Sequence, residues 1–223
     1  MIEIVSATKL SQEEFWGVAP LAVHLKRSAR DERVRSNIAY SNSRGLPEVY
    51  NERIDTRDPA DTLVFIHDDV WIEDVFFVDR ILEALKIFDV VGLAGTRRRQ
   101  PFQRLWDMSP ITKDLDRGFT SGVVGQGDAP FGEISSFGPT PAECKLLDGL
   151  MIAARTSRLL DKDVRFDPRF MFHYYDLDFC RTATSAGLRI GTWPISVTHR
   201  SPGLFGSPEW LGASEVYFEK WGD

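Results

Sequence analysis

Thr62-Leu63-Val64-Phe65-Ile66-His67-Asp68-Asp69 is the stretch on which the fold turns. Residues 62–66 lack the polar–apolar alternation of a strand with one wet face. Such a run suits a strand buried on both sides, as in a parallel sheet covered by helices. It stops abruptly at two adjacent carboxylates. Side by side at a strand end, these repel each other unless something compensates. A magnesium or manganese ion is one compensation, because it takes one or two carboxylates together with substrate phosphates. A solvated turn before the helix that begins soon after Asp74 is the other reading.

Outward from this stretch, strands and helices alternate. Ile2 to Val5 reads as an opening strand, and Ser11 with Glu14 forms a capping box that starts a helix. Val34 to Tyr40 is a second strand. Asn42 to Pro47 turns into a helix running to about Arg57, with Pro47 in its first turn. Val75, Val78, Ile81, Leu82 and Leu85 recur at helical spacing. Asp89 to Ala94 and Leu146 to Ala154 are apolar strands. Asp176 to Ala186 is a short helix stopped by Gly187. Leu188 to Trp193 and Ile195 to Thr198 are extended, and a turn at Ser201-Pro202-Gly203 follows His199. Ser207-Pro208 caps a last helix. The class is therefore α/β, a Rossmann-like and mostly parallel central sheet with helices on both faces. Ligands of such sheets sit beyond the carboxyl ends of the strands, which directs attention to Ser6–Thr8, Ser41–Asn42, His67–Asp69 and Gly95–Arg99.

The stretch from Thr96 to Lys145 is rich in Gly, Pro and Ser and has little periodicity. It is too long for a simple connection, so it reads as functional, partly mobile, or both. Within it, Arg97-Arg98-Arg99 reads first as a solvated loop and second as an anion contact. Trp106, Phe131 and Phe137 suit either stacking on a sugar face or pinning the loop to the core.

The bulk numbers narrow the classes. At 223 residues the chain suits one well-filled domain. A net charge of −6 argues against a general nucleic-acid surface. Two cysteines without CxxC spacing exclude a disulfide framework and a multi-cysteine zinc site. No secretory leader and no membrane-spanning run is present in these residues, so the expected place is the cytoplasm, with membrane contact only peripheral.

Several motifs, in order, resemble the glycosyltransferase family 2-like group of GT-A enzymes. Gly45 to Ile54 carries the Tyr50-Asn51-Glu52 helix, and Leu63 to Val70 ends in the His-Asp-Asp form of the DXD motif. Leu147-Asp148-Gly149-Leu150-Met151 is similar to the acceptor-side strand. Tyr175-Asp176-Leu177-Asp178-Phe179 is similar to the E-D-x-D-L helix start, and Val197-Thr198-His199 to the C-terminal strand. The resemblance covers residues 36 to 203. It implies a sugar transfer, with inversion, from a nucleotide-diphosphate sugar, a UDP-sugar first, to a glycan or other hydroxyl acceptor.

Residue by residue, the resemblance implies that Asp69 binds Mn²⁺ or Mg²⁺, that His199 completes the metal's surroundings, and that Asp68 contacts ribose or the metal's water. Ser6, Ala7, Thr8 and Asn42 would border the nucleotide, Asp148 would face the donor sugar or acceptor, and Asp176 would be the general base. Residues 1–223 would form one domain, with the nucleotide held by about 1–95 and the acceptor by about 96–223. His67 replaces the first acid of a full DXD and is expected to position its neighbours. Tyr175 stands where many members have glutamate. A catalytically silent nucleotide-sugar or glycan-binding module of the same fold is the alternative. A nucleotidyltransferase is disfavoured, since Ile4 to Gln12 has no glycine and only Lys9.

Overall fold

The computed structural model describes residues 1–201, 203 and 205–223; Pro202, in the turn expected after His199, lies outside them. In chain order the elements are β1 (Ile2–Ala7), α1 (Gln12–Val18), α2 (Pro20–Arg27), β2 (Val34–Ala39), α3 (Leu46–Ile54), β3 (Thr62–Ile66), β4 (Val70–Ile72) and α4 (Phe77–Ala84). These are followed by β5 (Val90–Gly92), β6 (Ala94–Thr96), β7 (Thr120–Gln126), β8 (Glu133–Gly138), β9 (Ala142–Glu143), β10 (Leu146–Leu147) and β11 (Met151–Arg155). The last are α5 (Thr156–Asp161), α6 (Tyr175–Ser185), β12 (Ile190–Thr192), β13 (Val197–His199) and α7 (Pro208–Trp221).

The main sheet has the order β2-β1-β3-β11-β5-β12-β9. β1 pairs in parallel with β2 and β3, and β5 with β12. β11 lies reversed between β3 and β5, and β9 is reversed at the edge. Five strands therefore share one direction, and the mostly parallel, Rossmann-like α/β class is the observed one. β3 is buried along its whole length, as its unbroken pattern requires. Helices flank the sheet, and one continuous apolar core runs through strands and helices alike.

The local signals hold where local physics decides them. The Ser11 capping box is formed in both directions, and Ser207 caps α7 through the Trp210 amide. Each such cap contributes about 1 kcal/mol. The Pro47 helix is shorter than expected and ends at Ile54. α4 also starts later than its pattern suggests. Val75 and Leu82 are exposed, and Phe77, Val78, Ile81, Ala84 and Leu85 form the buried stripe.

Three expectations fail, the first being the single strand over Asp89–Ala94, which divides into β5 of the main sheet and β6 of a second one. The Thr96–Lys145 segment is not a long irregular loop: it contributes β7, β8 and β9, and β7–β8 is an antiparallel hairpin in a second sheet of order β10-β6-β7-β13-β4. Gly122, Gly125, Gly132 and Gly138 read as loop signals but serve close packing. A Cβ on Gly122, at φ +114, would lie 2.2 Å from the Leu93 carbonyl oxygen. The strand expected over Leu146–Ala154 is broken as well. β10 belongs to the second sheet and β11 to the first, so residues 148–150 carry the chain from one to the other. β4 has no counterpart in the sequence reading. It follows the two aspartates directly and pairs antiparallel with β13.

Candidate active site

The β4–β13 pairing builds the first half of the site. Its register sets His199 opposite Val70, and the Arg200 amide donates to the Asp69 carbonyl. His199 Nε2 thereby stands 3.3 Å from Asp69 Oδ1. Both atoms are buried, and neither makes a well-aligned hydrogen bond among the described residues. His67 closes the group, and one ligand atom from each of His67, Asp69 and His199 lies within 4.8 Å of the others. Burial pulls His199 toward its neutral form, but the Asp69 carboxylate outweighs it and raises the imidazole pKa. Burial likewise raises Asp69, and His199 with His67 outweigh it, so the carboxyl is held down. Buried polar atoms aimed at one another without a proper bond call for an explanation, and a shared cation is one. Two imidazoles and a carboxylate form a chemically sound ligand set.

His67 is oriented by Tyr175. The Tyr175 hydroxyl donates to the Gly149 carbonyl at 2.7 Å and lies 2.9 Å from His67 Nε2. A phenol has one proton, and a carbonyl can only accept it. His67 Nε2 must then donate to Tyr175, which leaves Nδ1 as the ring's lone pair. Hydrogen bonds of this kind from the outer shell fix the tautomer of ligating histidines. Burial also lowers the His67 pKa, which keeps the ring neutral.

The bend at 148–150 supplies the second half. Asp148 accepts from Trp106 Nε1 at 2.7 Å through Oδ2 and from the Leu150 amide at 2.9 Å through Oδ1. The Gly149 peptide is gripped at both ends, because its N–H donates to Asp176 Oδ2 at 2.9 Å while its carbonyl takes the Tyr175 proton. No side chain fits at this position, since a Cβ would lie 2.5 Å from the Tyr175 hydroxyl and 2.9 Å from Asp176 Cβ. Tyr174, the residue before α6, has φ +65. A non-glycine residue there costs about 1–2 kcal/mol, and this conformation sets where α6 begins.

Asp176 has no cation within 4 Å among the described residues. Burial first, and the nearby Asp148 charge second, push its carboxyl up to about 7. His67, His199, Asp148 and Asp176 share the lining of one cavity of about 540 Å³, whose other walls carry Trp106, Phe137, Phe172 and Trp210. Asp107 lines it too, with its carboxyl pushed up by burial.

The residues expected at the nucleotide occupy the neighbouring strand ends. The Asn42 amide donates to the Thr8 carbonyl, and the Leu21 amide to that of Asp68. Burial raises the Asp68 carboxyl, and Thr8 opposes this. Ala7 is half-buried. Ser6 is fully buried, so its hydroxyl sits beneath this surface. Asn42 spends its side chain on a turn with Arg44. None of Ser6, Ala7, Thr8, Asn42, Asp68 and Asp69 lines the cavity.

The remaining expected residues divide clearly. Phe131 is exposed on the hairpin, whereas Trp106 packs edge-on against Phe137 and holds Asp148. Arg98 pairs with Asp116, and Arg99 with Asp223. The structure joins His67 to Tyr175 and adds Asp107 to the cavity lining. The residue types stand in plain sight, but nothing local shows that His67 and Tyr175 meet.

No family model matches the chain, and no curated protein matches it in sequence. Solved structures do match. A197 from STIV is 14% identical with a TM-score of 0.51, over 89% of this chain and 84% of that one. GalNAc-T7, solved with UDP, GalNAc and Mn²⁺, is 10% identical with a TM-score of 0.57, over 100% of this chain and 50% of that one. This chain thus spans about half the length of GalNAc-T7. No helix among the described residues is long and apolar enough to cross a membrane. At these identities the likeness is one of architecture: the chain has a GT-A, Rossmann-like α/β fold.

Proposed function

We propose that this chain transfers a sugar, with inversion, from a nucleoside-diphosphate donor to a hydroxyl acceptor. The observation that carries this reading is the orphaned, buried pair Asp69 Oδ1 and His199 Nε2, beside a cavity that holds an uncompensated carboxylate. His67, Asp69 and His199 would hold the divalent ion, and their two imidazoles favour Mn²⁺ over Mg²⁺. Bound there, such an ion would supply positive charge against the departing diphosphate. UDP, GalNAc and Mn²⁺ accompany GalNAc-T7, a protein of the same fold, and support this choice. Thr8, Asn42 and Asp68, at the adjoining strand ends, would border the nucleoside, within a nucleotide-binding part of about 1–95. The part from about 96 to 223 would receive the acceptor in the aromatic-walled cavity.

Asp176 supplies the proton chemistry in this reading. Its carboxylate takes the proton of the acceptor hydroxyl as that oxygen attacks the anomeric carbon. The carbon–oxygen bond to the diphosphate breaks in the same step, and no covalent sugar intermediate forms. A base with a pKa near 7 is matched to neutral conditions. Asp148, fixed by Trp106 and Leu150, keeps its place as a sugar-facing acceptor and keeps the Asp176 pKa high. Calorimetry with UDP should show binding with Mn²⁺ that collapses in EDTA, and UDP-sugar hydrolysis should follow the same dependence. Equal affinity with and without the ion would overturn the metal assignment. Metal-dependent binding without hydrolysis or transfer would leave the silent binding module.

A further inference from the structure

Five residues along α6 from Asp176, Arg181 opens onto a second cleft of about 210 Å³. Arg99, Lys145 and Arg181 line it together with Thr184, Ser185 and Trp221. None of these residues lines the larger cavity. Arg99 and Arg181 converge on a single atom, with Nη1 of each donating to Asp223 Oδ2 at 2.7 Å. The Arg181 side chain is only 11% exposed and lies 4.3 Å from the Trp221 ring centroid. Its guanidinium carbon also lies 5.3 Å from the Tyr217 ring centroid. Lys145 forms no ion pair there.

Three cations thus line one cleft, and two of them share a single carboxylate. A salt bridge that only fastened the end of α7 would need one arginine and no lysine. We propose that this cleft binds a phosphate-type oxyanion, with the Asp223 carboxylate standing where one edge of that anion would lie. A phosphate offers more acceptor oxygens and more charge than a carboxylate. Two guanidinium forks and an ammonium match both. The Ser185 hydroxyl adds a donor at the rim, and Trp221 gives an apolar wall. The cleft rests on a different observation from the sugar-transfer reading and does not depend on it.

The test is titration calorimetry of the full chain with inorganic phosphate, at constant ionic strength and with EDTA present, so that no metal recruits phosphate to Asp69. Phosphate should bind the wild-type chain. Asp223→Asn, which removes the competing charge, should tighten binding about 10-fold. Arg181→Ala should abolish it, and Lys145→Ala, at an exposed position that folding tolerates, should weaken it. Asp69→Ala should leave it unchanged. Phenyl phosphate distinguishes the sources. Binding at least as tight as inorganic phosphate assigns an ester seated on Trp221, whereas binding of the inorganic ion alone assigns free phosphate. If Asp223→Asn takes up no phosphate, or if Arg181→Ala and Lys145→Ala bind it as the wild type does, the cleft is a latch for α7 and no anion site.

Discussion

Asp176 and Asp178 stand two residues apart on α6 and face different regions of the molecule. Asp178 is fully buried against the end of α7, where Trp221 Nε1 donates to Oδ1 at 2.9 Å and Lys220 Nζ to Oδ2 at 2.9 Å. Asp176 faces the aromatic-walled cavity, with a backbone amide on one oxygen and another carboxylate nearby. Burial raises both carboxyls. Around Asp178 a cation and an indole oppose that rise, whereas around Asp176 the Asp148 charge adds to it. An acid whose partners are supplied by the fold does structural work. An acid left short of partners at a cavity is poised to exchange a proton.

The sharpest way to break this contrast is to neutralise each acid in turn. Asp176→Asn keeps shape and the Gly149 contact but cannot take a proton. Turnover should fall about 10²- to 10⁴-fold, with donor affinity nearly unchanged. UDP-sugar hydrolysis with Mn²⁺ provides the first measurement, and a variant as fast as wild type would reduce Asp176 to a helix-start residue. Asp178→Asn should do the opposite. It costs stability, about 2 kcal/mol for a buried charge-assisted bond, read as a lower urea midpoint, while turnover per folded molecule stays. Equal loss of turnover in both variants would erase the distinction.

Two smaller effects sharpen the contrast. Tyr175→Phe removes the hydroxyl that fixes the His67 tautomer and should weaken Mn²⁺ binding about 10- to 100-fold. Calorimetry on the metal-free chain reads this directly, and unchanged affinity would remove Tyr175 from the metal's support. The last concerns pH and stability. The folded-state pKa of Asp176 is about 7, above its ordinary value of 3.8, so the protonated form is the one folding favours. The stability this group contributes is full below about pH 4 and is lost as pH rises through 7. Asp176→Asn should therefore raise the metal-free Tm by roughly 2–4 °C at pH 8, and much less at pH 5. An equal gain at both values would mean that charge at Asp176 is not the cause.

The candidate site was legible in unequal parts. Asp69, Asp148, Asp176 and His199 stand out because their motifs follow one another in order. His67 and Tyr175 were read as departures from a pattern, yet in the fold they meet, 108 residues apart in sequence, across a 2.9 Å contact. Trp106 lay in a segment read as irregular. Its bond to Asp148 depends on the second sheet, whose glycines look like loop residues until Leu93 is packed against Gly122.

The sequence alone determined whatever depends on short-range physics. β3 had to be buried on both faces because its apolar run has no wet side. Ser11 and Ser207 had to open helices because their side chains reach amides three residues on. The alternation of such elements leaves little choice but a layered α/β sheet. The tertiary structure alone decided how the reactive groups meet. The pairing of β4 with β13 joins Asp69 to His199 across 130 residues. The switch between sheets at Gly149 sets Asp148 beside Asp176, and burial there carries a carboxyl to about 7. Proximity and desolvation belong to the packed molecule, because a residue's sequence neighbours fix its conformation but not which distant charges share its surroundings.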